Sequence, residues 1–229
     1  MKQASKKIAQ STTRSGSGGD VTGISEKASG FFTDARGSHA WDHTMRVNTL
    51  CEHIGRREQA DMTVLKAAAL LHDIGRTLED KANGRICHAE VGADMAQPLV
   101  SHLPLTRGQK DNILHCIRSH RFRGRHRPRT LEARVLFDAD KLDAIGAVGV
   151  ARAFLFAGEI GARLHNPDRR PEDTEPYSKD DTGYREYMIK LVKIKDRMMT
   201  AEGRRMAEKR HQFMQHFFEQ FLAEHEGRR

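Results

Sequence analysis

The stretch Ala69-Leu70-Leu71-His72-Asp73-Ile74-Gly75 decides how this chain is read. Before it, Val64, Leu65, Ala67, Ala68, Leu70 and Leu71 are apolar around most of a helical circumference, so the segment Met62 to Ile74 reads as a buried helix. That helix closes on His72-Asp73, an imidazole and a carboxylate side by side at its end. Two neighbours on a helix point about 100° apart, so a longer and a shorter side chain can straddle one ion. Half of a divalent-metal site is therefore present. The other half can be sought in His43, within Ser38-His39-Ala40-Trp41-Asp42-His43, and Asp140, within Asp138-Ala139-Asp140-Lys141-Leu142-Asp143. An isolated His-Asp pair is more often a capping or core hydrogen-bonded pair. Four positions in the order His, His-Asp, Asp weigh the other way.

Working outward, the pattern is helical throughout and no convincing strand is found. Asp42 to Arg57 carries Met45, Val47, Leu50 and Ile54 at helical spacing, and further helices are expected at about His88 to His102 and Thr106 to Arg121. One long Ala-rich helix is expected from about Thr130 to Ala157. Residues 165 to 183 read as a surface loop. Helix returns from Tyr184 to about Glu224, with a break at Gly203. Residues 1 to 25 hold few large apolar side chains and read as a disordered basic tail. A single folded unit is expected over 26–225, with a metal-site core at about 31–160 and C-terminal helices at about 184–224. The fold class is all-α.

Composition narrows the partners. The 39 Lys and Arg outnumber the 31 Asp and Glu, for a formal charge of +8, which favours anionic ligands such as phosphates. Cys51, Cys87 and Cys116 form no paired motif, which argues against a disulfide framework or a zinc-thiolate site. No apolar run approaches the roughly 20 residues that span a bilayer, and no signal peptide is evident. A cytoplasmic protein without membrane contact is expected.

Two imidazoles and two carboxylates suit Mn, Fe, Co, Ni, Zn or Mg, and the lack of thiolates argues against a purely structural zinc. The motifs around His43, His72-Asp73 and Asp140 resemble those of the HD-domain metal-dependent phosphohydrolases. Leu136-Phe137-Asp138-Ala139-Asp140-Lys141-Leu142-Asp143-Ala144-Ile145-Gly146, Ser119-His120-Arg121-Phe122-Arg123-Gly124, Ala151-Arg152-Ala153-Phe154 and Glu208-Lys209-Arg210-His211-Gln212-Phe213-Met214 extend the likeness to the small stand-alone branch of the YedJ and YpgQ kind, from about Phe31 to Leu222. The resemblance implies an HD-domain helical bundle with additional C-terminal helices. It implies metal ligands at His43, His72, Asp73 and Asp140, one divalent ion with Mn favoured for activity, and hydrolysis of a phosphate or phosphoanhydride bond. Nucleoside triphosphates are the implied substrate class.

Other residues are assigned roles around that centre. Asp143, three residues after Asp140, is either a general base that takes a proton from the attacking water or the partner of a neighbouring Arg or Lys. Asp138 should point away and is given no ligand role. Lys141 is a candidate for stabilising developing charge, or only the counter-ion of its neighbour; Asp73 counts as both ligand and catalytic group. Many HD enzymes carry a Glu shortly after the His-Asp pair, where this chain reads Arg76-Thr77-Leu78-Glu79, which leaves the acid or base open. A second metal at His88, His115 and His120 is disfavoured because no extra carboxylate accompanies them. His88 and His120 are read instead as contacts to substrate phosphate or to the metal-bound water, and His115 as structural. The stretch from Arg118 to Arg129 holds six arginines, with Arg121 and Arg123 the best candidates for a polyphosphate clamp.

The expected reaction is conversion of nucleoside triphosphates to monophosphate and pyrophosphate. Phosphomonoester or phosphodiester hydrolysis is the alternative within the same chemistry. A non-catalytic module that holds RNA or a nucleotide is the alternative outside it, and nucleic acid is the less favoured partner. The oligomeric state is left open.

Overall fold

The computed structural model describes residues 22–32, 41–121 and 125–228. Among these the chain forms helices and no strand. The elements are α1 (Thr22–Ser29), α2 (Trp41–Glu58), α3 (Met62–Leu71), α4 (Arg76–Lys81), α5 (His88–Ser101), α6 (Arg107–Ser119), α7 (Leu131–Asp143), α8 (Gly146–Glu159), α9 (Gly183–Ile189) and α10 (Ala201–His225), with short 3-10 turns between them.

The apolar helix α3 lies at the centre, packed against α2, α6 and α7. Its Val64, Leu65, Ala67, Ala68, Ala69, Leu70 and Leu71 are all buried, as the continuous apolar surface requires. Small residues let the neighbours come close, and large ones such as Ile54, Ile113, Ile117, Leu136 and Leu142 fill the space between. Side-chain oxygens cap the helix starts: Asp61 accepts from Thr63 and Val64 N–H on α3, and Thr106 and Gln109 cap α6 reciprocally. Thr130 and Thr200 do the same for α7 and α10.

The structure departs from the expected elements in four places. The helix expected over Thr130 to Ala157 is two, because the chain turns at Ala144-Ile145 and Gly146 adopts φ +78°. A Cβ at Gly146 would lie 2.9 Å from the Arg210 side chain, which donates to the Leu142 carbonyl at the end of α7. Gly203 does not break the C-terminal helix. It lies in the first turn of α10, and the break falls earlier, in the turns between α9 and Thr200. There Asp138 of α7 accepts from Met199 N–H and from the N–H and hydroxyl of Thr200, and only a glycine at 203 leaves it room. The helices α1 and α4 have too few turns to show an apolar period. Finally, Ile24 and Ala28 are buried in the common core, so ordered chain begins before the expected boundary at 26. The expected disorder of residues 1–21 lies outside the described residues.

Candidate metal centre

Four histidines and two aspartates from five segments converge at the ends of α3 and α6. His43 is in the first turn of α2, and His72-Asp73 closes α3. His88 opens α5, His120 closes α6, and Asp140 comes from the last turn of α7. His43, His72, Asp73, His88 and His120 are each 3% exposed or less. Gly75 permits this crowding, since a Cβ there would lie 2.4 Å from the His88 carbonyl and 2.8 Å from Gly92 N.

Each ring is oriented through Nδ1. His72 donates from Nδ1 to the Ala69 carbonyl (2.7 Å) and His120 to the Ile117 carbonyl (2.6 Å), so two helix C-termini hold their own terminal histidines in the same way. The other two rings are held by carboxylates: His43 Nδ1 pairs with Asp143 Oδ2 at 2.7 Å, and His88 Nδ1 with Glu79 Oε2 at 2.5 Å. A neutral imidazole that donates from Nδ1 keeps a lone pair on Nε2. All four Nε2 atoms turn inward. His43 Nε2 stands 3.4 Å from Asp140 Oδ1 and 3.8 Å from Asp73 Oδ2, and His72 Nε2 is 3.9 Å from the same Asp73 oxygen. On the other side, His88 and His120 each bring Nε2 within 3.4 Å of Asp73 Oδ1, and those two nitrogens are 3.1 Å apart.

Buried acceptors facing one another without donors are costly. His72 Nε2 and Asp73 Oδ1 are both buried and have no hydrogen-bond partner. A cation between the converging groups removes that cost, and the donor set of imidazole nitrogen and carboxylate oxygen fits a divalent ion. Two such groups are present, His43–His72–Asp73 and Asp73–His88–His120, sharing Asp73 through its two oxygens. Burial pushes His72 down to about 4, so its ring is neutral and available as a ligand. Burial disfavours charge on His43 too, but Asp140 and Asp143 outweigh it and push the ring up to about 9. Burial also opposes ionisation of Asp73, yet Arg76 and the surrounding imidazoles hold its carboxyl well below the usual range. Asp140 is held low in the same manner, chiefly by Lys141.

Several expected roles change. Asp143 is not free to act as a general base: one oxygen takes His43 Nδ1 and Arg152, the other Arg46 Nε, and these partners hold it ionised against burial. It orients His43. His88 and His120, expected to meet substrate, lie inside the cluster beside Asp73. The expectation of no accompanying carboxylate did not count Asp73, whose second oxygen lies beside His88 and His120. His115 accepts from Arg129 N–H, away from the cluster. Lys141 Nζ is paired with Asp140 and also faces the His120 carbonyl at 3.5 Å. Arg121 reaches Glu79 at 2.9 Å, whereas Arg118 pairs with Asp94 on the surface. Arg123 lies outside the described residues.

Sequence reasoning left Glu79 without a role and passed over Arg46, Arg76 and Arg152. Arg76 pairs with Glu79 at 3.1 Å and brings Nε within 3.6 Å of Asp73. The available signal was a glutamate nine residues before His88.

The HD domain family matches residues 40–145, which include both motif histidines, Asp73 and Asp140. YpgQ of Bacillus subtilis, itself uncharacterized, is 36% identical over 193 residues, covering 82% of this chain and 85% of the relative. The crystal structure of that protein in complex with ADP superimposes with a TM-score of 0.68 at 31% identity, over 89% of this chain and 93% of the other. A predicted HD-superfamily hydrolase from an uncultured Thermotogales bacterium gives a TM-score of 0.64 at 30% identity, over 89% and 92%. The chain belongs to the HD-domain family, in the group that includes YpgQ and other HD-superfamily hydrolases.

Proposed function

We propose that this chain is a divalent-metal-dependent phosphohydrolase that cleaves nucleoside triphosphates to monophosphate and pyrophosphate. The observation that carries the reading is the convergence of His43, His72, Asp73 and Asp140, among whose buried atoms His72 Nε2 and Asp73 Oδ1 have no hydrogen-bond partner. A divalent ion held there supplies Lewis acidity, withdrawing charge from a phosphate oxygen and making water acidic enough to attack near neutral pH.

The chain's own residues do the rest. Asp143 fixes His43, and the Ala69 and Ile117 carbonyls fix His72 and His120, so the ligand atoms need no reorganisation before binding. Lys141 and Arg76 place positive charge at the rim, where negative charge grows as phosphorus is attacked. Arg121, with the exposed Arg125, Arg127 and Arg129 beyond it, offers forked donors to the β- and γ-phosphates. Neutralising those two phosphates makes pyrophosphate a stable leaving group and favours attack at the α-phosphorus. The ADP complex of YpgQ supports a nucleotide as the ligand class.

The same reading extends to a second ion at Asp73, His88 and His120, supported by the paired groups around Asp73. A nucleotide of the cytoplasm is the proposed substrate, with no membrane partner; among the described residues no helix is long and apolar enough to cross a membrane. Anion-exchange chromatography of the products from a triphosphate, across Mg, Mn, Co, Ni and Zn, tests the reaction. Monophosphate and pyrophosphate are expected. Diphosphate and orthophosphate as the main products would refute attack at the α-phosphorus.

A further inference from the structure

The two halves of the cluster are built alike. Each contains one histidine held by the backbone at a helix end, His72 or His120, and one held by a carboxylate, His43 or His88. Each of those carboxylates is gripped in turn by two arginines. Asp143 takes Arg46 and Arg152; Glu79 takes Arg76 and Arg121. The parallel gives Glu79, which is 5% exposed, a role beyond that of a counter-ion.

We infer that Glu79 is the positioning residue of the Asp73–His88–His120 group: its carboxylate keeps His88 as the Nδ1–H tautomer, turns Nε2 toward the ion, and ties Arg121 to the same point. Two observations carry this. Glu79 Oε2 sits on His88 Nδ1 at 2.5 Å, where a carboxylate oxygen accepts from the ring N–H, and Arg76 pairs with the same oxygen at 3.1 Å. The other Glu79 oxygen holds Arg121 at 2.9 Å, at the start of the basic stretch, so one residue sets both an ion ligand and a phosphate donor. Without Glu79, the His88 proton is free to move to Nε2. That would place an N–H where a lone pair is needed and point it at His120 Nε2, 3.1 Å away.

The inference rests on the proposal that this group holds an ion, and the test separates the two. Full-length wild type, Glu79→Gln and Glu79→Leu are titrated with Mn(II) alone, free Mn(II) being followed by its paramagnetic resonance signal and folding by circular dichroism. Wild type is expected to bind two ions. Glu79→Leu should weaken one of them about 10–100-fold, the usual effect of losing a carboxylate behind a ligating histidine, and leave the other unchanged. Glu79→Gln keeps an acceptor oxygen and nearly the same shape, so it should fall between wild type and Glu79→Leu. Should Glu79→Leu fail to fold, Glu79→Gln alone carries the test through a selective loss at one ion. Two ions bound equally well by wild type and every folded variant would overturn the role of Glu79 while leaving the metal centre intact. Only one ion bound by wild type would overturn it as well, and none would overturn the metal centre itself.

Discussion

At the scale of single residues, the site is organised by what lies behind the ligands. Asp143 and Glu79 hold His43 and His88, and each carries two arginines. On the proposed function, Arg121 links this arrangement to the phosphates of the substrate. Its guanidinium can exchange from Glu79 to a phosphate, so Arg121→Ala should raise KM for a triphosphate by roughly 10-fold, the scale of one charge-assisted hydrogen bond. A monophosphate substrate should be affected far less. Steady-state kinetics on the two substrates check this; equal effects would place Arg121 outside the polyphosphate site. That His43, His72, Asp73 and Asp140 lie together was legible in the sequence because His-Asp at the end of an apolar helix is a local pattern. Asp143 and Glu79 were not, because their roles depend on rings 100 and nine residues away, and a lone carboxylate shows no partner in sequence.

At the scale of elements, close approaches between helices set the geometry. Gly75 is the contact between the His-Asp turn and the start of α5, with a would-be Cβ 2.4 Å from the His88 backbone. Gly75→Ala should push α5 outward, carrying His88 with it. Mn(II) titration should then show weakened binding at one ion, with the ion at His43 and His72 less affected; an unchanged titration would show that α5 tolerates the shift. At the start of α10, Glu202 is bonded by Arg205 and His53 and is held down to about 2, below its ordinary 4.5. Its contribution to stability is thus present above about pH 4.5 and lost as pH falls from there toward 2. Denaturant unfolding of Glu202→Gln and wild type should differ most near neutral pH and converge as the pH falls to about 2. A constant difference across that range would exclude the linkage. Amphipathic helices such as α2 could be read from periodicity alone. The division of α7 from α8 could not, since Ala144-Ile145-Gly146 is apolar, and only the left-handed Gly146 and the approach of Arg210 from α10 reveal a turn.

At the scale of the whole molecule, the core and the site share the same scaffold. The apolar α3 is surrounded by α2, α6 and α7, and each of these four helices ends near, or carries, a member of the cluster. Asp73 is the member common to both ion groups, offering Oδ2 to His43 and His72 and Oδ1 to His88 and His120. Elemental analysis of metal-loaded, desalted wild type and Asp73→Asn therefore tests the account most directly, with circular dichroism confirming that both are folded. The account predicts about two divalent ions per wild-type chain, matching the two groups, and close to none in Asp73→Asn. Metal content that is unchanged in a folded Asp73→Asn would contradict it.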